Sequence, residues 1–162
     1  MEPRIETLIP KTLVGMAREM SMVKDETSQL WRGFRPRIAE VTNRTTAESI
    51  SMRVYSGSTA EVFEPNASFR QWAAVEVVDH DDVPEGMEPY LLGGGTYAVF
   101  VHRGPANDLS TFRYIFSDWL PASDYILDDR EHFEVLPANY DPRDPDATEE
   151  CWIPVRLQEA ED

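Results

Sequence analysis

The order of apolar and polar residues predicts a compact unit in the first half of the chain. An apolar run at 12–22, TLVGMAREMSM, is long enough for a strand, and an amphipathic stretch at 25–41 follows it. Two shorter runs at 50–56 and 72–78 are rich in the residues that strands favour. The first half therefore reads as β-α-β-β.

The stretch at 25–41 is predicted to be helical because Leu30, Phe34 and Ile38 recur every four residues. Asp25 lies where an N-terminal capping carboxylate is expected. Pro36 falls inside the stripe and is expected to kink the helix there, since proline lacks the backbone donor that the helix needs.

The second half repeats the same order of elements. A strand is predicted at 94–104 and a helix at 107–121, and two more strands are predicted at 132–139 and 151–157. Pro154 is expected to interrupt pairing in the last strand, because proline cannot donate to a neighbouring strand.

The repeated pattern predicts one duplicated domain over 1–162, with repeats at about 4–80 and 88–158. The turn-rich tract at 79–95, DHDDVPEGMEPYLLGGG, is interpreted as their connection. The expected fold class is α+β. The two β-α-β-β units should form one antiparallel sheet with two main helices and a central cleft that could hold a ligand.

Composition narrows the possible functions. The chain has 30 acidic and 15 basic residues and a net charge of −15, which disfavours direct binding to nucleic acid. No apolar run is long enough to span a membrane, and the first residues do not resemble a signal peptide. Cys151 is the single cysteine, so no internal disulfide is expected. We expect a cytoplasmic protein without a cofactor or a metal.

An acidic residue interrupts the strand predicted from HFEVLPAN. Glu134 stands among Phe133, Val135 and Leu136, which are typical of buried strands. Glu134 is expected either to lie on the solvent-exposed face of an edge strand, to fix strand register through a hydrogen bond, or to contact a ligand.

Several motifs, in order, resemble the GyrI-like effector-binding domain family. They are LWRGFRPRIAEVTNR in the first helix, VPEGMEPYLLGGGTYAVFVHRGP, the helix ending in DWLP, the strand HFEVL, and the closing EECWIPVRL. Domains of this family are attached to AraC-type and MerR-type multidrug regulators and also occur as free-standing proteins. The chain is identified as a free-standing member.

The resemblance implies a duplicated α+β fold whose hydrophobic cleft accepts diverse, often cationic aromatic compounds. It also implies that Glu134 lies at the base of that cleft, where a cationic ligand would offset the cost of burying a carboxylate. The domain starts within the first ten residues, so we expect no helix-turn-helix module and no binding to operator DNA in cis.

Aromatic walls would add cation–π attraction to such a ligand, by about 0.5 to 2 kcal/mol for each desolvated ring. The candidates, any of which could instead be ordinary core, are Trp31, Trp72, Trp119, Trp152, Tyr97, Phe100 and Tyr90.

Two other functions stay open. Some free-standing relatives are hydrolases of strained electrophilic compounds, and Glu134 could act as a general base beside Tyr97 or Tyr55. Catalysis is nevertheless the less favoured interpretation. Other relatives inhibit DNA gyrase, and an acidic surface would suit an interaction protein. A protein partner or a homodimer is possible in each case.

Overall fold

The computed structural model describes residues 1–159 as one antiparallel sheet with helices on one of its faces. Its strands are β1 Arg4–Leu8, β2 Lys11–Met20, β3 Ser49–Tyr55, β4 Phe69–Glu76, β5 Glu88–Leu92, β6 Gly95–Arg103, β7 Tyr125–Leu127, β8 His132–Leu136 and β9 Thr148–Leu157. The helices are α1 Thr27–Phe34, α2 Ser110–Tyr114 and α3 Leu120–Ala122, with 3₁₀ turns at Arg35–Glu40 and Thr59–Phe63. A π-helical turn, Ile115–Trp119, joins α2 to α3, and we call Ser110–Ala122 the second helical segment.

Hydrogen bonding joins the two predicted halves at the middle of the sheet. The strand order is β1-β6-β9-β8-β3-β4-β2-β5, with β7 paired to β9. The order is symmetric about the β3–β8 pair, so β6, β9 and β8 correspond to β2, β4 and β3. The predicted α+β class, with one antiparallel sheet and two main helices, is confirmed.

Strand register shows which residues correspond between the halves. Trp72 of β4 pairs with Met52 of β3, and Trp152 of β9 pairs with Phe133 of β8. Met52 and Phe133 pair with each other across the centre of the sheet. An approximate twofold axis therefore passes through the Met52–Phe133 pair and relates Trp72 to Trp152.

The two faces of the sheet have different cores. The inner face carries one cluster drawn from both halves, which includes Met52, Trp72, Phe133 and Trp152. The opposite face, which we call the helix face, carries two separate clusters. One packs beneath α1, and the other packs beneath the second helical segment. The helices thus lie on one side of the sheet.

Two strands that the sequence pattern did not predict are exchanged between the halves. β1 leads into β2 but pairs with β6, whereas β5 leads into β6 but pairs with β2. β5 lies within the tract interpreted as a plain connection. At the crossing, Gly94 has a φ of 88°, and a Cβ there would collide with the Leu8 carbonyl oxygen. Glycine therefore fits this close crossing of two chain segments.

The proline predictions had mixed outcomes. The first helix ends at Phe34, just before Pro36, and continues as a 3₁₀ turn, so it is shorter than 25–41. The expected interruption at Pro154 is wrong, since β9 runs through it and Pro154 pairs with Tyr97. Among the helices of the described chain, none is long and apolar enough to cross a membrane.

A cleft between the two helices as the candidate functional site

The middle strands of the sheet lie in a gap between the helices. α1 contacts β2 and β4, while the second helical segment packs over the cluster formed by β6 and β9. On the helix face, β3 and β8 contribute four side chains that we call the cleft floor: Ser51, Arg53, His132 and Glu134. All four keep partial solvent access. The twofold axis runs through this floor.

Loops border both ends of the cleft. The 3₁₀ turn that follows β3 reaches the second helical segment, where the rings of Phe63 and Phe116 meet edge to face at 5.4 Å. At the other end, Tyr140 packs against the cluster under α1, and Arg35 donates to its carbonyl oxygen at 3.1 Å. One loop therefore contacts the second helical segment and another contacts the residues beneath α1, on either side of the floor.

Two carboxyl groups meet at the β8–β9 side of the floor. Glu134 and Glu149 project from the same face of β8 and β9, close enough for the charge of Glu149 to act on Glu134. Burial raises the pKa of Glu134 well above its usual value, and the neighbouring charge of Glu149 raises it further. Both effects favour the neutral, protonated form of Glu134. The Tyr140 hydroxyl adds a longer contact to Glu149 Oε2, at 3.4 Å.

A positive charge lies at the β3–β4 side of the floor. Arg53 Nε donates to Gln71 Oε1 at 3.3 Å, and its guanidinium carbon lies 4.3 Å from the centroid of the Phe69 ring. Gln71 also donates to Ser51 Oγ at 2.8 Å, which fixes the amide. Burial, together with the charge of Arg53, lowers the pKa of His132 to about 4, so this imidazole is neutral at pH 7.

The structure divides the aromatic candidates between the two faces of the sheet. Trp31, Phe100 and Trp119 pack on the helix face, the face of Glu134. The other four candidates belong to the core of the inner face: Trp72, Tyr90, Tyr97 and Trp152. Since the backbone of the sheet separates these four from Glu134, they do not line the same cleft.

The tyrosine partners expected for a hydrolase are also separated. Tyr97 lies on the inner face, and its hydroxyl donates to the Glu131 carbonyl oxygen at 2.8 Å. Tyr55 shares the helix face, where its ring lies 5.9 Å from the His132 ring. Tyr140, which the sequence did not single out, is the tyrosine that contacts the acid pair.

Glu149 and Arg53 were also missed, although the sequence contained a signal for both. Cys151, Ile153 and Val155 alternate as buried residues along β9, and the same period places Glu149 on their face. On β3, Arg53 lies two residues after Ser51 and therefore projects from the same face. Period-two alternation, applied to charged residues within strands, would have identified both.

Comparisons with known proteins assign the chain to a family. Residues 1–156 match the GyrI-like small molecule binding domain, and the chain belongs to that family. The transcriptional regulator BrlR of Pseudomonas aeruginosa is 31% identical over 157 residues, which are 96% of this chain and 56% of that protein. The chain thus spans little more than half the length of this curated relative.

Solved structures share the fold at low sequence identity. SAV2435 bound to tetraphenylphosphonium has a TM-score of 0.67 and 17% identity, with 96% of this chain and 94% of that one covered. The EcmrR C-terminal domain has a TM-score of 0.70 and 11% identity, with 97% and 98% covered. A hydrolase from Listeria innocua has a TM-score of 0.59 and 10% identity, with 96% and 92% covered.

Proposed function

We propose that this GyrI-like domain binds hydrophobic, cationic aromatic small molecules in the cleft, with Glu134 as their counter-charge. The observation that carries the proposal is the position of Glu134, which is deeply set yet partly accessible on the cleft floor and in contact with Glu149. Two carboxyl groups this close cannot both ionise at low cost, so the empty site keeps a proton.

The charges of the floor fit a monovalent cation. With Glu134 protonated, the charges of Arg53 and the adjacent Glu149 cancel, so the floor and Glu149 together have a formal charge of zero. When Glu134 ionises, they carry one negative charge together, which a ligand cation neutralises. Binding should therefore exchange the proton of Glu134 for the ligand, so that the carboxylate is not left unpaired in a desolvated site.

The walls of the cleft supply apolar surface for such a ligand. The aromatic candidates of the helix face, Trp31, Phe100 and Trp119, are proposed to flank the cleft from the two helices and the sheet beneath them. A half-buried aromatic on the second helical segment, Phe116, lies toward the Phe63 end. Trp31, Trp119 and Phe116 are the partners proposed for cation–π and apolar contact, and Phe100, which is 1% exposed, packs behind Trp119.

Relatives support a role in sensing or sequestration. Tetraphenylphosphonium, the ligand of SAV2435, is a lipophilic aromatic cation, BrlR is a transcriptional regulator by name, and EcmrR has been solved in complex with DNA. We place the chain in the cytoplasm, as a multidrug-binding module that responds to such compounds itself or through a protein partner, without contacting nucleic acid directly.

The direct test is a thermal-shift titration with tetraphenylphosphonium. A ligand that binds only the folded protein raises the melting temperature, and the rise grows with the logarithm of the ligand concentration once that exceeds the dissociation constant. Glu134→Gln should remove most of that rise while keeping the shape of the side chain. Glu19→Gln is the control, because Glu19 is exposed on β2. If Glu134→Gln responds like the wild type, the counter-charge assignment is wrong.

Hydrolysis is a second candidate because a tyrosine contacts the acid pair. Tyr140 lies 3.4 Å from Glu149, next to Glu134, and a Listeria innocua hydrolase shares the fold. An ionised Glu134 would act as general base for a water that attacks a ring carbon, while the Tyr140 hydroxyl would donate a proton to the ring oxygen as the carbon–oxygen bond breaks. Incubation with styrene oxide tests this idea: diol that forms with the wild type but not with Glu134→Gln supports catalysis, and unchanged epoxide opposes it.

A further inference from the structure

Arg53 has an unusual environment for a half-buried arginine. Within residues 1–159, its guanidinium makes no ion pair at 4.0 Å or less, whereas nine other basic residues do, for example Arg130 with Asp128. Its contacts are the Gln71 amide and the Phe69 ring. Taking a charge partly out of water without an opposite charge is unfavourable. The floor therefore keeps a cation that lacks an anionic partner.

Twofold symmetry places this cation opposite the acid pair. Met52 corresponds to Phe133, so the next residue along each strand, Arg53 in β3 and Glu134 in β8, also corresponds, and both lie on the helix face. Arg53 pairs with His132, which makes Arg53 and Glu134 diagonal neighbours across β3 and β8. Such neighbours lie roughly 7–8 Å apart at the Cα atoms. One position of the repeat thus carries a base in the first half and an acid in the second.

The side chains of Arg53 and Glu134 are drawn to opposite sides of the floor, although the charge of Arg53 opposes the rise of the Glu134 pKa. The contacts of Arg53 draw it toward β4, because Gln71 and Phe69 both belong to that strand. The contact of Glu134 with Glu149 draws it toward β9. The floor therefore presents a positive end and a negative end to whatever occupies the cleft.

We propose that the cleft selects zwitterionic aromatic ligands, whose cationic group faces Glu134 and Glu149 and whose carboxylate faces Arg53. This inference rests on the proposed function, since it uses the same cleft, and it adds a second recognition element at the opposite end of the floor. A guanidinium suits this role because it can donate two parallel hydrogen bonds to a carboxylate.

Rhodamine B and its ethyl ester are a matched pair of probes. They share the same cationic aromatic ring system, but only rhodamine B carries a free carboxylate. Fluorescence anisotropy titrations of the full chain give the dissociation constant of each dye. The wild type should bind rhodamine B roughly tenfold or more tightly than the ester, as a charge-assisted hydrogen bond would provide.

Substitutions at Arg53 test whether this preference comes from its charge. Arg53→Gln should abolish the preference, because the affinity for rhodamine B falls while the affinity for the ester stays the same or rises. Arg53→Lys keeps the charge and should retain part of the preference. Arg143→Gln, at an exposed position, is the charge control and should leave the preference intact. Melting temperatures measured in parallel show whether each variant is folded.

The outcomes separate this inference from the proposed function. If Glu134→Gln weakens the ester while Arg53→Gln leaves the preference for rhodamine B unchanged, the role of Arg53 is overturned and the counter-charge role of Glu134 stands. If the wild type binds both dyes equally, the role of Arg53 is also overturned. If neither dye binds saturably, both proposals are overturned.

Discussion

Arg53 and Glu134 occupy equivalent positions on the two central strands of a duplicated sheet. They stand on either side of the twofold axis through Met52 and Phe133, both on the helix face. Duplication alone would place the same residue at both positions, yet one holds a base and the other an acid. The symmetry of the fold thus positions a polar, asymmetric floor between the two helices, and the predictions below test its parts.

Replacing Glu134 should stabilise the protein at neutral pH. The raised pKa of Glu134 means that the folded state holds this proton more tightly than the unfolded state does. The stabilising contribution of this proton is therefore complete at pH values below the ordinary pKa of glutamate. It is lost as the pH rises through the raised pKa of Glu134. Glu134→Gln keeps the hydrogen-bonding shape without that loss. We expect an increase of about 2–4 °C in melting temperature at pH 8, which corresponds to about 1 kcal/mol.

The same comparison at low pH is the control. Near pH 4 both states of the wild type carry the proton, so Glu134→Gln and the wild type should melt at similar temperatures. Glu19→Gln should show no such pH-dependent difference. If Glu134→Gln is less stable than the wild type at pH 8, Glu134 fixes strand register, and a destabilising, raised pKa of Glu134 is contradicted.

Cation affinity should rise with pH. Below the raised pKa of Glu134, binding of tetraphenylphosphonium must expel a proton, so affinity weakens by up to about tenfold for each pH unit of acidification. Glu149→Gln removes the neighbouring charge that helps to raise this pKa, so the midpoint of the profile should move to lower pH. Titrations from pH 5 to 9 measure both effects. If Glu149→Gln does not change the midpoint of the affinity profile, the two acids are not coupled.

Two glycines should respond in opposite directions to alanine. Gly94 has a positive φ at the crossing of the exchanged strands, where a Cβ would collide with the Leu8 carbonyl oxygen. Gly33, in α1, has open space at its Cβ position. Gly94→Ala should lower the free energy of unfolding by more than about 1 kcal/mol, while Gly33→Ala should raise it by up to about 1 kcal/mol. Denaturant titrations measure both changes, and equal changes would contradict the crossing geometry.

The overall fold was largely predictable because hydrophobic periodicity is a local signal. The stripe of Leu30 and Phe34, and the alternating runs of the strands, indicated two β-α-β-β units and their joined sheet. The exchange of β1 and β5 was not predictable in this way. Both strands are short, and their partners lie more than 70 residues away along the chain, so no local pattern records the pairing.

The site was only partly predictable, because the face of a residue depends on strand register. Glu134 was singled out by its apolar neighbours and by family resemblance, and it lies on the cleft floor. Trp72 and Trp152 were considered beside it, although register places both on the inner face. Aromatic type alone does not distinguish the two faces of a sheet that is buried on both sides.

The counter-charge role of Glu134 is tested most directly by calorimetry with one charged and one neutral ligand. Tetraphenylphosphonium and triphenylphosphine oxide are similar aromatic compounds, and only the first is a cation. With Glu134→Gln, the cation should lose on the order of 2–5 kcal/mol of binding free energy, the cost of leaving a buried charge unpaired. The neutral ligand should bind equally well or better. Equal losses for both ligands would contradict the counter-charge role of Glu134.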